Sequence, residues 1–354
     1  MKEKHIFAGN NTAEGFYSCF DYLFNPNELE HIYILKGGPG VGKSSFMKKF
    51  ASETSNNDYS IEYIHCSSDN DSLDGIIIPQ LKIALVDGTA PHTVDPRIPG
   101  VIDEIINLGM FLDNSQLEKR KEQIIQINKT KSLLFKSAYR YLHAAGIITE
   151  EINSLYDQFI DREKFYQMNN EAVNKLFHNS NNLKKAPKTK KMFSEAYTAS
   201  GYIDYTKSLC QNKRVWVVTG ESTNHISEFL KKISYETSKR GYDSELFLMP
   251  LNPDKLKHIY IPEMNLIIIS SEDYAYGDFE EIFDIHGIMD TDNLRTHISE
   301  IENNLHLYDL LIKNALEKLS ESKKYHKLLE VFYINSMDFN GVDECFNSII
   351  NRFT

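Results

Sequence analysis

Short apolar runs, glycine-containing turns and amphipathic stretches follow one another along this chain in the same order twice. In the first pass, residues 31–35 form an apolar strand and residues 43–54 a helix opening at a glycine turn. Residues 60–65 follow as a second strand, and residues 81–86 as a near-continuous apolar strand of the kind buried in a parallel sheet. In the second pass the equivalents are residues 215–218, 227–239, 244–248 and 266–269. Strands alternating with helices predict parallel α/β sheets with right-handed crossovers. Both passes run into long helical tails. Ser115 is placed to cap a helix through about Ala145, with Ile127, Leu134 and Tyr141 at heptad spacing and Leu117, Ile124 and Ala138 close to the same face. Leu294, Ile298, Ile301, Leu305, Tyr308, Ile312 and Ala315 trace the matching face of the second tail. These faces are expected to pack on their own sheets or on each other.

The repetition extends to register. HIYILKGGPGVGKSSFMKKFASE, from His31, aligns with RVWVVTGESTNHISEFLKKISYE, from Arg214, so that Gly37 meets Gly220 and, without a gap, Pro79 meets Pro262. Upstream, TAEGFYSCFDYL from Thr12 pairs with TASGYIDYTKSL from Thr198, at an offset three residues larger. A tandem duplication follows. We divide the chain into a first domain, residues 1–182, with a sheet core over about 1–100 and a helical region over about 101–182. A Lys-rich linker (183–192) leads to a second domain with its own helical tail, residues 193–354. The linker reading rests on LKKAPKTKKM, five lysines and a proline just before the second copy.

Composition narrows the class. The 354 residues carry a formal charge of −11, which argues against a general nucleic-acid or anionic-membrane binder. No apolar run approaches the roughly 20 residues of a membrane helix. Cys19, Cys66, Cys210 and Cys345 are widely spaced with no CxxC pair, so neither a zinc ribbon nor a disulfide framework is expected. A soluble protein in the reducing cytoplasm is the expectation.

The candidate chemistry lies in the first glycine turn. Gly37, Gly38, Pro39, Gly40, Val41, Gly42, Lys43 and Ser44 fit GxxxxGK[ST], a Walker A motif with a strand before it and a helix after it; Ser45 completes the stretch expected to touch nucleotide. Glycines let successive backbone N–H groups converge on phosphate oxygens, and the helix presents its positive end to the same anion. Lys43 is expected to reach the β- and γ-phosphates, and the Ser44 hydroxyl to join the Mg²⁺ shell. Asp87, ending the strand LKIALVD, is the candidate Walker B aspartate for Mg²⁺. ATP with Mg²⁺ is the expected cofactor, and GTP the secondary one.

The second copy acts as an internal control. Lys43 has become Ile226, Gly42 has become His225, and Glu221 enters the loop; Asp87 becomes Ser270, Asp74 Lys257 and Asp69 Asn252, while Asp71 is retained as Asp254. Lysine and acids disappear together where the loop has decayed, so only the first copy is expected to bind a triphosphate. The polar loop of residues 65–75 follows a strand end, where ligands bind in doubly wound sheets. It is either a second-substrate site or an Asx-rich turn. Structural roles are expected for His65 and Cys66. Thr89 and His92 are candidates to approach the γ-phosphate, and Arg97 to act as a charge sensor.

Together FAGNNTAEGFYS, KGGPGVGKSSFMKK, HCSSDNDSLDG, IIIPQL and VDGTAPHTVDP resemble an uncharacterised bacterial family of tandem P-loop ATPase-like proteins, over most of the chain. The resemblance implies ATP binding and two P-loop-like halves; some relatives keep a GKS/T loop in the second half, from which this chain departs at His225 and Ile226. The leading expectation is a slow ATPase or ATP-driven switch using the first copy alone, since no glutamate follows Asp87 to polarise water. A kinase whose acceptor lies near residues 69–74, and a non-catalytic nucleotide sensor or scaffold that contacts a protein partner or oligomerises, are the alternatives.

Overall fold

The computed structural model describes residues 3–54, 59–178, 180–271 and 279–353. The first copy opens with strand β1 (Glu3–Phe7), the hairpin β2 (Gly9–Thr12) and β3 (Gly15–Ser18), and a short helix α1 (Phe20–Leu23). Next come β4 (His31–Lys36), α2 (Lys43–Thr54), β5 (Ile61–His65), β6 (Leu73–Ile78), β7 (Ile83–Asp87) and β8 (Asp103–Asn107). Helices α3 (Asn114–Glu118), α4 (Lys121–Asp157) and α5 (Arg162–Phe177) follow. The second copy repeats this as β9 (Thr189–Met192), β10 (Glu195–Thr198), β11 (Gly201–Asp204), α6 (Thr206–Cys210), β12 (Arg214–Thr219) and α7 (Thr223–Lys239). It continues through β13 (Ser244–Leu248), β14 (Leu256–Ile261), β15 (Leu266–Ser270), β16 (Glu281–Asp284), α8 (Thr291–Leu294), α9 (Ile298–Ile334) and α10 (Phe339–Ile350). The TAxG segments are the turns of the two small hairpins, where Thr12 and Thr198 each donate from the hydroxyl to the carbonyl of the glycine three residues on.

Each copy builds a six-stranded sheet of the same topology, β1-β5-β6-β7-β4-β8 and β9-β13-β14-β15-β12-β16. The sheets are mixed and not wholly parallel as expected: β6 and β14 run antiparallel to both neighbours. The reason is the connections. Only residues 66–72 separate β5 from β6 and residues 79–82 separate β6 from β7, too few for the dozen or more residues of a crossover, so the chain turns back. The segment LDGIII, buried along its whole length as β6, is therefore a strand that the helix-strand alternation did not mark. Residues 189–192 of the expected linker are also a strand, β9, which pairs with β13 at the sheet edge.

The two copies meet about a pseudo-twofold axis. Phe7 and its counterpart Phe193 exchange both backbone hydrogen bonds, at 2.9 and 3.0 Å. A shared core lies between the sheets, with Ile32, Ile34 and Val86 of one and Val215, Val217 and Ile269 of the other. Helices α4 and α9, 37 residues each and so roughly 55 Å long, pack along one another. The expected cap at Ser115 gives way to Asp113, whose carboxylate accepts from the Ser115 N–H of the short α3; the long helix starts afresh at Lys121.

These long helices carry the chain across the molecule, so each tail packs on the other copy. Phe165 of α5 lies in the core of the second sheet beside Ile226 and Phe229. Phe346 of α10 stacks edge-on against Phe46 of α2, at 5.0 Å. The crossings are matched in detail: Asp113 N–H donates to Ser336 O at 2.7 Å, and its counterpart Asp290 donates to Phe159 O at 2.8 Å.

Candidate functional site

The loop between β4 and α2 is held open by its glycines. Gly40 and Gly42 have φ of 72° and 94°, a region that side chains with a Cβ disfavour, and α2 begins only at Lys43. The lysine ammonium folds across the loop, donating to the carbonyls of Gly37 (2.8 Å) and Gly38 (2.9 Å), with Asp87 Oδ2 at 3.6 Å. Asp87 arrives there because β7 pairs directly with β4 in parallel, setting Asp87 opposite Leu35. Its other oxygen accepts from the backbone N–H (2.9 Å) and hydroxyl (2.5 Å) of Thr89. The lysine and the aspartate, 44 positions apart in sequence, are thus brought together, and Thr89 orients the carboxylate. Ser44 has a role the motif does not announce: its hydroxyl accepts from Leu73 N–H at 3.0 Å, tying α2 to β6. Ser227 makes the same bond to Leu256 N–H at 2.9 Å, so this contact is independent of the glycine loop.

Behind this group lies a buried pair. His92 Nε2 stands 3.3 Å from Asp74 Oδ1, with side chains only 6% and 4% exposed. Burial disfavours the imidazolium, but Asp74, and then Asp87, outweigh it and raise the His92 pKa. Phe20 stacks on the ring at 4.8 Å. Asp74 Oδ2 and His92 Nδ1 make no hydrogen bond, a costly arrangement in a buried place. Arg97 takes no part; it pairs with Asp21 at the surface. His65 bonds His5 and the Asn70 carbonyl. Asp69 and Asp71 are paired with Lys323.

Lys323 belongs to α9, and it introduces a roof that motif reading missed. The last turns of α9 lie on the glycine loop: a Cβ on Gly38 would fall 2.5 Å from the Tyr333 ring, and one on Gly40 3.0 Å from Glu330 O. Lys323, His326 and Glu330 follow at helical spacing along this face, and Lys131 of α4 donates to His326 Nδ1 at 3.1 Å. Their only sequence signal is polar residues interrupting an otherwise apolar seam.

The second copy fills the same space differently. Thr223 and His225 stand where Gly40 and Gly42 stood, and α7 starts one turn earlier, at Thr223, consuming the loop. Ser222 caps the helix by accepting from His225 N–H, and Asn153 Oδ1 of α4 accepts from Thr223 N–H at 2.9 Å. Asp157 accepts from Asn224 at 3.0 Å. Ile226 is buried in the core. Glu221, the acid that enters this loop, points to His286, at 2.9 Å. At the position of Asp74, Lys257 pairs with the buried Glu195 at 2.5 Å, and the Tyr202 hydroxyl also donates to that carboxylate. Burial would raise the Glu195 pKa, but Lys257 and then His258 draw it down to about 2.

Among the described residues no helix is long and apolar enough to cross a membrane, and no three His, Cys, Asp or Glu side chains converge to hold a metal by themselves. Comparison with protein-family models, curated proteins and solved structures yields no match for this chain.

Proposed function

We propose that the first copy binds a nucleoside triphosphate, ATP before GTP, with Mg²⁺ at the glycine loop, and that the protein is a slow ATPase or ATP-driven switch. The observation that carries this reading is the convergence of Lys43 and Asp87 at 3.6 Å over a loop with positive-φ glycines and a helix start behind it. The donor set fits the ligand. A loop whose lysine satisfies itself on two of its own carbonyls can release that cation to a phosphate at small cost, because one set of hydrogen bonds replaces another. Mg²⁺ commonly takes one or two protein oxygens and completes its shell with phosphate and water, which suits Ser44 and Asp87 without a larger cluster.

A switch is favoured by the roof: Tyr333 and Glu330, which touch the loop, sit on a helix that begins in the second copy. An acceptor bound by residues 69–74 has less support, since Asp69 and Asp71 are engaged by Lys323 and Asp74 by His92. The four cysteines are free, in keeping with a cytoplasmic setting.

Phosphate release from Mg-ATP, measured beside Lys43→Ala, tests the reading. Losing one preorganised cation should lower release by roughly 10²–10³-fold. Release equal in both proteins, or binding of Mg-ATP unaffected by the substitution, would remove the first copy's loop from consideration.

A further inference from the structure

The roof carries a cation that takes part in no ion pair among the described residues. Lys131 is half-buried on α4, and none of the ion pairs among the described residues includes it; its hydrogen-bond partner is His326 Nδ1, at 3.1 Å. Burial lowers the lysine's pKa, opposed by Cys66 and then by Glu330 without reversing the shift. Burial and then Lys131 push the His326 pKa down to about 4, so at neutral pH the imidazole is uncharged and can accept from the ammonium. The charge of Lys131 is therefore supported but not neutralised.

The histidine that holds it is next to the loop. His326 lies one turn before Glu330, with their side chains 3.7 Å apart, and the Glu330 backbone overlies Gly40. His326 also feels the charges of Lys43 and Asp69. With side chains 34% and 10% exposed, His326 and Lys43 both border solvent-accessible space.

The second copy again supplies the control. Aligning α4 and α9 from their first residues places Tyr308 at Lys131, Thr149 at His326 and Gly146 at Lys323. Tyr308 bonds Tyr197, hydroxyl to hydroxyl, at 2.9 Å, a pair that carries no charge at neutral pH. The roof has thus lost its cations in the same half of the molecule in which the floor lost Lys43.

We propose that Lys131, held by His326, forms a second oxyanion site facing the glycine loop, and that it takes a phosphate group. The source is either the terminal phosphate of the nucleotide or the phosphate of a second substrate. This rests on the nucleotide reading above for its first source but not for its second. Because Lys131 and His326 come from different copies, occupancy of the site would pin α4 to α9 near the point where α9 passes over the loop.

The test is calorimetric binding to wild type, Lys131→Met and His326→Gln, using Mg-ADP, a non-hydrolysable Mg-ATP analogue, and inorganic phosphate added to ADP-loaded protein. If the nucleotide is the source, Lys131→Met weakens the analogue about 10–100-fold, as expected for one charge-assisted hydrogen bond, and leaves ADP within twofold. If a second substrate is the source, both nucleotides bind as before and the added phosphate loses its affinity. His326→Gln should give the same pattern at smaller size, and it serves alone if the methionine variant does not fold. Equal weakening of the analogue and ADP, or no change in any arm, overturns the proposal. Failure of wild type to bind either nucleotide would instead break the glycine-loop reading, and inorganic phosphate without nucleotide would then still test the cation.

Discussion

The starts of α2 and α7 are the same place in two copies of one fold, and they solve the same problem in opposite ways. A helix N-terminus leaves unpaired N–H groups. At α7 the protein satisfies them internally, with the Ser222 hydroxyl and with Asn153 reaching in from α4. At α2 the residues of α9 in equivalent positions are Glu330 for Asn153, Tyr333 for Tyr156 and Ile334 for Asp157. There a ring and an aliphatic side chain pack over glycines. The contrast shows how a duplicated glycine loop becomes a structural element: with Thr223 and His225 in place of Gly40 and Gly42 the helix grows back over the loop, and side chains from the neighbouring helix take over its donors. The pocket behind the loop reverses sign in the same way, from Asp74 with His92 to Lys257 with Glu195.

The comparison can be broken most forcefully at that reversed pair. Lys257→Met leaves the buried Glu195 charge without its main partner and should destabilise the second copy by about 3–5 kcal/mol in denaturant unfolding. A cost comparable to a surface ion pair would mean the Tyr202 and Thr206 hydroxyls suffice. The exchange of tails predicts that Phe346→Ala, in the last helix of the chain, costs about 3–5 kcal/mol and exposes the amides of α2 to hydrogen exchange before those of α7. Protection lost first in α7 would contradict the crossed packing. Acid should sharpen the difference next. The folded pKa of Glu195 is depressed to about 2, so its contribution is fully present above the ordinary glutamate pKa near 4.5 and is lost as pH falls from there toward 2. Replacing Glu195 by Gln should flatten that part of the stability profile, which a pH series of thermal melts would reveal. Smallest is Ser222→Ala, which removes the α7 cap at about 1 kcal/mol by thermal melting; Ser44→Ala, by contrast, should affect nucleotide binding as well as stability.

Much of this architecture is legible in the sequence. The bounds of α2 and β13 coincide with their expected ranges, because helical and strand periodicity act over a few residues and the glycine loop punctuates them. The approach of Asp87 to Lys43 is also readable, since a strand that ends in an acid and pairs beside the loop strand leaves little choice of position. By contrast the Asp74–His92 pair depends on the direction of β6, which is set by short connections and not by composition. The Lys131–His326 contact joins residues 195 apart through two helices, and no local pattern encodes such a distance.

The repeat, the open glycine loop of one copy and the capped helix start of the other were determined by sequence, because glycine conformation, capping chemistry and residue periodicity are local properties. The choice of partner was made only by the tertiary structure. Either tail helix offers an apolar face, but the length of α4 and α9 delivers each one to the opposite sheet, and burial is indifferent to which copy supplies the surface.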